Sequence, residues 1–395
     1  MPPLPETGGV VFVAGEASGD LLAAPVIDCL ARRAPAVRSA GIAGDRMIAA
    51  GCEAWHHVRE LSVRGYAEVL GELPRLLRLR GALQRRVLAG SYSGLVGVDA
   101  PDFNLALETA VRRRGVPTVH YVSPSIWAWR AGRIEGIRRA ADRVLLVFPF
   151  EEAIYARAGI AATYVGHPLA SQIPLHPDRT AARGRLGYAG QDLLICLMPG
   201  SRRAEIASIA PAFFASAVLL LRNAPTARFL VPVADAGLRT LLQAHRDAVP
   251  DVAGQIDLID GRSHDCLEAC DGVLVASGTA TLEAALYKRP MVIAYRMPAL
   301  SAWIMRRIGG YLPWVGLPNI LANETLVPEL LQEKATPSAL AAALEGVLQD
   351  EPGQALLAER FGAMHDALRR DTPSLAAEAI VHTIGQVRRG VRSLA

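Results

Sequence analysis

The chain has 395 residues, of which 51% are hydrophobic and 20% charged, and its formal net charge is +4. This length favours two domains, the composition excludes an intrinsically disordered chain, and the small charge gives no support to nucleic-acid binding. The N-terminus lacks the basic region and apolar run of a secretory signal. No apolar stretch approaches the ~18 uninterrupted residues of a membrane-spanning helix. We therefore expect a globular protein whose membrane contact is at most peripheral.

The cysteines indicate a reducing compartment. Their number is odd and their spacing scattered, which does not fit a disulfide framework and favours a cytoplasmic setting. They are Cys29, Cys52, Cys196, Cys266 and Cys270. Cys266 and Cys270 lie four residues apart with His264 nearby, which could be half of a metal site. One face of a short helix is the favoured interpretation, because the chain offers no second ligand pair. We predict no metal and no cofactor.

The first half of the chain alternates apolar runs with helical patterns. Runs over 10–13, 95–98, 118–122 and 144–148 predict buried strands, and 21–33 predicts a helix. Apolar runs without polar alternation are typical of a parallel sheet covered on both faces, and their alternation with helices indicates βαβ units. The first half is therefore predicted to be an α/β domain.

The pattern restarts after a segment over 168–188, rich in Pro, Asp and Arg, that reads as a linker. Strands are predicted over 193–197, 229–233, 272–275 and 291–294, and helices follow residue 337. We predict an N-terminal domain over 1–170 and a C-terminal domain over 171–355, with helices over 356–395 packing back on the N-terminal domain. Ligands of such sheets bind outside the carboxyl ends of the strands, so the residues after each strand are the candidate site.

Two turns in the first half carry acidic and small residues. Residues 15–20 (GEASGD) follow the first strand and open a helix, where backbone N–H groups favour an anion or polar group. The spacing fits neither dinucleotide-binding nor P-loop motifs, so a plain strand-to-helix turn is an equal alternative. Residues 99–104 (DAPDFN) place Asp99 at the end of a buried strand, with Asp102 and Asn104 close behind. These groups could hold a hydroxylated substrate, or one of the acids could cap the next helix.

Two turns in the second half suit a phosphate. Ser277-Gly278-Thr279 follows a predicted strand, and Glu283 shares a helix face with Thr279. Residues 199–202 (PGSR) add Arg202, a good phosphate ligand. Together they predict a nucleotide, with ordinary loops as the alternative. No Asp-x-Asp pair occurs, which suggests that helix dipoles, hydroxyls and arginine meet the diphosphate charge without a metal.

Two stretches combine apolar and basic residues at helical spacing. Residues 65–88 interleave leucines such as Leu73 with arginines, and 297–308 contain Trp303 followed by Arg306 and Arg307. Either stretch could meet an acylated substrate at an anionic bilayer, or be a core helix with solvated arginines.

The chain closely resembles the lipid-A-disaccharide synthase family over residues 10–332. Nine strings carry the resemblance: 15–20 (GEASGD), 99–104 (DAPDFN), 120–130 (HYVSPSIWAWR), 150–151 (FE), 166–168 (GHP), 199–202 (PGSR), 277–279 (SGT), 295–297 (YRM) and 317–319 (LPN). The Trp127-Ala128-Trp129 string is the most specific. The resemblance implies an α/β GT-B fold, with two Rossmann-like parallel-sheet domains facing across a cleft, and peripheral association with the inner face of the inner membrane. It also implies domain-swapped homodimers.

The resemblance further implies an inverting transfer of 2,3-diacylglucosamine from UDP to the 6-hydroxyl of 2,3-diacylglucosamine 1-phosphate. Asp99 would be the general base, with Glu16 binding the acceptor or sharing that role. UDP would be held by Arg202, Ser277, Gly278, Thr279, Glu283, Arg296, Asn319 and Gln332. The acceptor and its acyl chains would meet Ser18, Asp102, Asn104, Trp127, Trp129 and Arg130.

Two other classes of function remain at this point. Another GT-B enzyme that uses UDP-N-acetylglucosamine is the first alternative, although such enzymes lack the Trp127-Ala128-Trp129 string. A non-catalytic protein that binds UDP or acyl lipid is the second. A nicotinamide oxidoreductase is disfavoured because no dinucleotide fingerprint follows any strand.

Overall fold

A computed structural model describes residues 8–61, 66–126, 131–188, 190, 192–297 and 313–390, without the side chains of 66–71 and 131. The chain forms two compact units. The first comprises Met1–Pro168 together with Leu368–Ala395, and the second comprises Leu169–Ala367. The second unit thus begins close to the boundary predicted after residue 170 and extends beyond the boundary predicted after residue 355.

Seven parallel strands form the sheet of the first unit, in the order β3-β2-β1-β4-β5-β6-β7. They are β1 (Gly8–Ala14), β2 (Val37–Ala43), β3 (Glu53–His57), β4 (Tyr92–Val98), β5 (Thr118–Tyr121), β6 (Arg143–Leu146) and β7 (Ala162–Tyr164). The strand order reverses between β1 and β4, which is where sheets of this kind bind ligands. Both strands are almost entirely buried, which explains their uninterrupted apolar runs.

Helices connect these strands. They are α1 (Ala17–Arg33), α2 (Asp45–Ala49), α3 (Tyr66–Ala89), α4 (Pro101–Arg112), α5 (Ile134–Ala140) and α6 (Glu151–Arg157), with 3₁₀ turns at Val58–Glu60 and Ala131–Arg133. Helix α4 begins at Pro101, whose missing N–H costs nothing at the first helical position. Leu79, Leu83 and Val87 of α3 belong to a buried apolar cluster beside the sheet.

The second unit contains six parallel strands in the order β10-β9-β8-β11-β12-β13. They are β8 (Leu194–Met198), β9 (Arg228–Val233), β10 (Ile256–Asp260), β11 (Gly272–Ala276), β12 (Met291–Tyr295) and β13 (Glu329–Leu331). Here the order reverses between β8 and β11. The two parallel-sheet α/β units confirm the predicted fold class.

The helices associated with the second unit begin at the boundary between the units. They are α7 (Pro168–Gln172), α8 (Arg179–Leu186), α9 (Arg203–Asn223), α10 (Ala236–Asp247), α11 (Ser263–Ala269), α12 (Thr279–Leu286), α13 (Leu317–Ala322), α14 (Pro337–Gln349) and α15 (Glu351–Leu368), with 3₁₀ turns at Pro250–Gln255 and Gln332–Lys334. Helix α9 is long and apolar enough to cross a membrane by composition. Its Phe213 and Phe214 are nevertheless buried in the core of this unit, as in a core helix.

Residues 168–188, which we predicted to be a linker, contain helices α7 and α8. Helix α8 is bound to the second unit by ion pairs, in which Arg183 Nη2 lies 2.6 Å from Asp271 Oδ2 and Arg185 Nε lies 2.8 Å from Asp265 Oδ1. The linker prediction was wrong because these acidic partners lie about eighty residues further along the chain and give no local signal.

The final helix, α16 (Thr372–Arg388), belongs to the first unit. Arg33 of α1 donates to Glu378 at 2.7 Å and to Ser374 at 3.0 Å. Arg143 of β6 donates to Thr383 at 2.8 Å. The C-terminal helix therefore completes a core whose other elements all lie before residue 169.

Candidate active site

The reversal point of the first sheet brings the two acidic turns together. Ala14 of β1 pairs with Val98 of β4, so the turns that follow these strands are neighbours. Gly15 lies so close to the second turn that a Cβ built on it would be 2.1 Å from the Cβ of Ala100. Only glycine fits at position 15, because any side chain would collide with Ala100 and separate the two turns.

Asp99 occupies a strained backbone position at this point. Asp99 and Ala100 have φ values of +52° and +44°, in the left-handed region that costs non-glycine residues roughly 1–2 kcal/mol each. Val122, which follows β5, has φ +75°, where a β-branched residue is rarer still. The strain is therefore concentrated at the carboxyl ends of two adjacent strands, as is common at functional sites.

The Asp99 carboxylate is available to a ligand. Asp99 is half-buried, and no hydrogen bond or ion pair from any described residue engages its side chain. Helix α4 is capped at Ala100 without a side-chain bond, so Asp99 is not a helix cap. Glu16 and Ser18 are exposed at the start of α1, and Glu16 also makes no side-chain cap bond. The structure thus groups Asp99, Glu16 and Ser18 at one edge of the sheet.

Two other acidic residues of these turns are engaged by protein groups. Asp20 accepts backbone hydrogen bonds from Gly44 and Met47 at 2.9 Å and from Arg46 at 3.1 Å, so it caps α2. Asp102 is exposed and paired with Arg133.

Asn104, which we expected to contact the acceptor, is 0% exposed. Its amide nitrogen lies 2.8 Å from the Asp99 carbonyl oxygen and 3.1 Å from that of Val13, so it holds the turns rather than a ligand. That expectation needs correction, because the side chain points into the protein. Trp127, Trp129 and Arg130 lie outside the described residues.

The second unit repeats this arrangement with anion-binding turns. Met198 of β8 pairs with Val275 of β11, so the turns containing Arg202 and Ser277 are neighbours at the reversal point. Strands β12 and β13 follow in order, which brings Arg296 and Gln332 to the same edge. The candidate nucleotide ligands, more than a hundred residues apart in sequence, thus lie at the ends of four adjacent strands.

A protein carboxylate already contacts one of the two candidate anion-binding turns, whereas the other turn is open. Gly200 has φ +113° and allows Glu205 to fold over its turn, where the carboxylate accepts from the Ser201 amide at 3.4 Å and pairs with Arg202 at 3.0 Å. A phosphate would have to displace that carboxylate. At the other turn, Gly278 and Thr279 are exposed at the start of α12, which has no side-chain cap. The Ser277–Thr279 turn is therefore the more open anion site.

Glu283 lies one turn into α12 and is mostly buried, with 19% of its side chain exposed. Burial raises the pKa of the Glu283 carboxyl, while His264, whose Nε2 lies 4.0 Å from Glu283 Oε2, acts in the opposite direction. A buried carboxylate gains from hydroxyl donors, because few protein groups replace its lost hydration. In the sequence, His264 stands out only by its position beside Cys266 and Cys270; its proximity to Glu283, which links α11 to α12, has no local sequence signal.

The remaining predicted UDP ligands also contact the protein. Arg296 donates to the Ala335 carbonyl at 2.7 Å, and Gln332 accepts from the Met297 amide at 3.3 Å. Both are half-buried and retain further donors. Ser277 donates to the carbonyl of Val315 at 2.9 Å. These three residues are built into the rim of the site.

Asn319 requires a correction. It is 0% exposed, and its amide nitrogen donates to the Val327 carbonyl and to Glu329, both at 2.9 Å. Its amide oxygen accepts from the backbone of Leu326 at 2.8 Å and of Val327 at 3.0 Å. With both donors and the oxygen engaged, Asn319 organises the segment before β13 and does not face a nucleotide in this conformation.

A basic groove runs along α3 on the surface of the first unit. It is open to solvent and is lined by Arg75, Arg78 and Arg85 of the helix, by the apolar Leu77 and Leu79 between them, and by His56 and Glu60 of the neighbouring segment. Leu73 and Leu77 on the same helix are 45% and 46% exposed. The stretch predicted over 297–308 lies outside the described residues, apart from Met297.

Comparison with known proteins identifies the family of this chain. The family model described as lipid-A-disaccharide synthetase matches residues 10–380. A lipid-A-disaccharide synthase of Burkholderia lata is 50% identical over 378 residues, covering 95% of this chain and 96% of that protein.

Solved structures share the fold at low identity. UDP-GlcNAc 2-epimerase of Neisseria meningitidis, solved with UDP-GlcNAc, has a TM-score of 0.63 at 12% identity and covers 96% of this chain and 100% of that one. MurG of Acinetobacter baumannii has a TM-score of 0.56 at 14% identity and covers 94% of this chain and 99% of that one. These likenesses show the GT-B fold alone.

Proposed function

Since this chain belongs to the lipid-A-disaccharide synthetase family, we propose that it transfers 2,3-diacylglucosamine from UDP to the 6-hydroxyl of 2,3-diacylglucosamine 1-phosphate. The products are a β-1,6-linked disaccharide 1-phosphate and UDP. The observation that carries the proposal is the match to synthases over nearly the whole of both chains. Under this proposal the first unit binds the acceptor and the second binds the donor.

Asp99 is the general base in this mechanism. Direct displacement at the anomeric carbon inverts its configuration and needs one base to take the proton of the attacking hydroxyl. The Asp99 carboxylate suits that task, because it is half-buried and no described residue occupies it. Glu16, exposed on the neighbouring turn, binds the acceptor or shares the proton.

The departing UDP is stabilised by the second unit. The diphosphate lies against Ser277, Gly278 and Thr279 at the start of α12, where backbone N–H groups and the helix dipole favour negative charge. Arg202, Arg296 and Gln332 border this position on the neighbouring strand ends. Glu283 accepts hydrogen bonds from the ribose hydroxyls, which supply the donors that its burial otherwise removes.

The acylated substrates reach the protein from a membrane surface along α3. The exposed Leu73 and Leu77 enter the apolar boundary, while Arg75, Arg78 and Arg85 meet anionic headgroups. Under this proposal the enzyme works as a peripheral protein at the inner face of the inner membrane.

The proposal is tested by incubating the purified protein with both acylated substrates, with and without EDTA. We expect equal UDP release in both reactions and the disaccharide 1-phosphate in the mass spectrum. UDP release without disaccharide would indicate hydrolysis or another acceptor, as for a different UDP-sugar enzyme. UDP binding without turnover would favour a non-catalytic binding protein.

A further inference from the structure

A cluster of buried polar side chains lies beneath the turn that carries Asp99. Asn104 and Glu108 occupy successive turns of the same face of α4, and His120 lies on β5; all three are 0% exposed. Glu108 Oε1 is 2.7 Å from His120 Nδ1. No role in the reaction has yet been given to Glu108 or His120.

Gly97 provides the space for this cluster. A Cβ on Gly97 would lie 2.0 Å from Glu108 Oε1 and 3.0 Å from the Cβ of Asn104. Gly97 also pairs with His120 across the β4–β5 ladder. Two polar side chains of α4 therefore lie directly against the sheet at a position where most folds of this kind place apolar residues.

The cluster is connected to the strained turn from two sides. From α4, the Asn104 amide nitrogen donates to the Asp99 carbonyl at 2.8 Å and also lies near the carbonyls of Val13 in β1 and Val98 in β4. From β5, the carbonyl of Tyr121, the residue that follows His120, accepts a hydrogen bond from the Asp99 backbone N–H at 2.8 Å. The Glu108–His120 contact joins α4 to β5, and thereby closes a loop of contacts around Asp99.

Fold stability does not require such a cluster. Replacing a buried ionic pair with apolar side chains of similar volume is often neutral or stabilising. Glu108 Oε2, His120 Nε2 and Asn104 Oδ1 also make no hydrogen bond with the described residues. Burying polar atoms without partners costs free energy. In return, the directional Glu108–His120 contact restricts α4 and β5 to one relative position, which apolar packing would do less strictly.

We propose that Asn104, Glu108 and His120 are positioning residues, which hold the Asp99 carboxylate in the orientation that base catalysis needs. The inference rests on the proposed function, because it assumes that Asp99 is the base. A shift of about 1 Å in a catalytic group can lower turnover by about 10²-fold without loss of substrate binding.

The test replaces the pair with apolar side chains, in the double variant Glu108→Met/His120→Leu. We expect an unchanged or higher unfolding midpoint, unchanged UDP affinity and donor KM, and a kcat lowered by about 10- to 100-fold. Glu108→Gln keeps a hydrogen-bonding group facing His120 and should stay within about threefold of wild-type kcat. The matched control is Thr109→Ala, because the Thr109 hydroxyl donates to the Leu105 carbonyl within α4 rather than to any of the three cluster residues, so kcat should be unchanged.

Asn104→Ser keeps the test decisive if the double variant fails to fold. This substitution replaces the amide that donates to the Asp99 carbonyl with a hydroxyl on a shorter side chain. It should also lower kcat and leave UDP affinity intact. A folded double variant or an Asn104→Ser variant with wild-type kcat overturns the inference, as does a fall in UDP affinity that parallels the fall in kcat. Absence of disaccharide with the wild-type protein refutes the proposed function instead.

Discussion

At the scale of single residues, the surroundings of Asp99 differ from those of Asp20 and Asp102, two other acids of the neighbouring turns. Asp20 caps α2 and Asp102 pairs with Arg133, whereas no described residue engages the Asp99 side chain. Backbone strain at Asp99 and Ala100 adds to this difference, because a protein keeps such φ values only where neighbouring contacts enforce them.

We predict that Asp99→Asn lowers kcat by ~10²–10⁴-fold, the usual contribution of a general base, and leaves UDP affinity unchanged. Steady-state assays and calorimetric UDP titration measure the two quantities. Asp28→Asn is the matched control, because that exposed carboxylate of α1 pairs with Arg32 outside the predicted site, so its loss should change kcat by less than about threefold. A large loss of UDP affinity in Asp99→Asn would make Asp99 a nucleotide ligand.

Gly15 provides a second prediction at this scale. Gly15→Ala should lower both kcat and the free energy of unfolding, the latter by about 1–3 kcal/mol, because the new Cβ collides with Ala100. Urea unfolding monitors stability. Gly136→Ala, within α5, meets nothing within 4 Å and should be neutral or stabilising by up to about 1 kcal/mol. Equal stability of the two variants would contradict the crowding at Gly15.

At the scale of elements, the segment that joins β7 to the end of the first unit contains a histidine, His167, whose pKa is shifted. His167 stacks on Phe148 with ring centroids 5.3 Å apart, and burial lowers the pKa of His167 to about 4. Its ring is therefore neutral in the folded first unit near neutral pH, while the unfolded chain binds a proton near pH 6.5.

Linkage gives the sign of the resulting pH dependence. The unfolded state binds more protons between pH 6.5 and pH 4, so His167 lowers stability as the pH falls through that window. Urea midpoints measured across it should decline, and His167→Gln, which does not titrate, should show a shallower decline. An identical slope in the two proteins would show that other groups cause the decline.

At the scale of the whole molecule, the chain crosses from the first unit to the second near Pro168 and returns at Leu368. Helix α16 is therefore adjacent in sequence to a helix of the second unit, yet it packs on the first. Ile384 of α16 lies against Gly94 of β4, where a Cβ would be 2.8 Å from its side chain.

We predict that Ile384→Ala destabilises the first unit by about 2–5 kcal/mol, through lost burial and an unfilled cavity, and leaves UDP affinity of the second unit unchanged. Urea unfolding and UDP calorimetry report the two effects. Glu378→Ala, which removes only the exposed pair with Arg33, should cost less than about 1 kcal/mol. Reduced UDP affinity in Ile384→Ala would show that the two units are energetically coupled.

The local sequence pattern was sufficient to predict the two parallel-sheet units, because buried parallel strands appear as apolar runs. It also located the turns near Asp99, Glu16, Ser277 and Glu283, because ligands of such sheets bind after the carboxyl ends of the strands. Only the tertiary structure separated ligand-facing residues from residues that hold the turns. Asn104 and Asn319 look like ligands in sequence, but the amide nitrogen of Asn104 donates to backbone carbonyls, and both the nitrogen and the oxygen of the Asn319 amide are engaged by protein groups. The docking of α8, the Glu108–His120 contact and the return of α16 depend on partners 12 to several hundred residues away, and such contacts leave no periodic signal in the sequence.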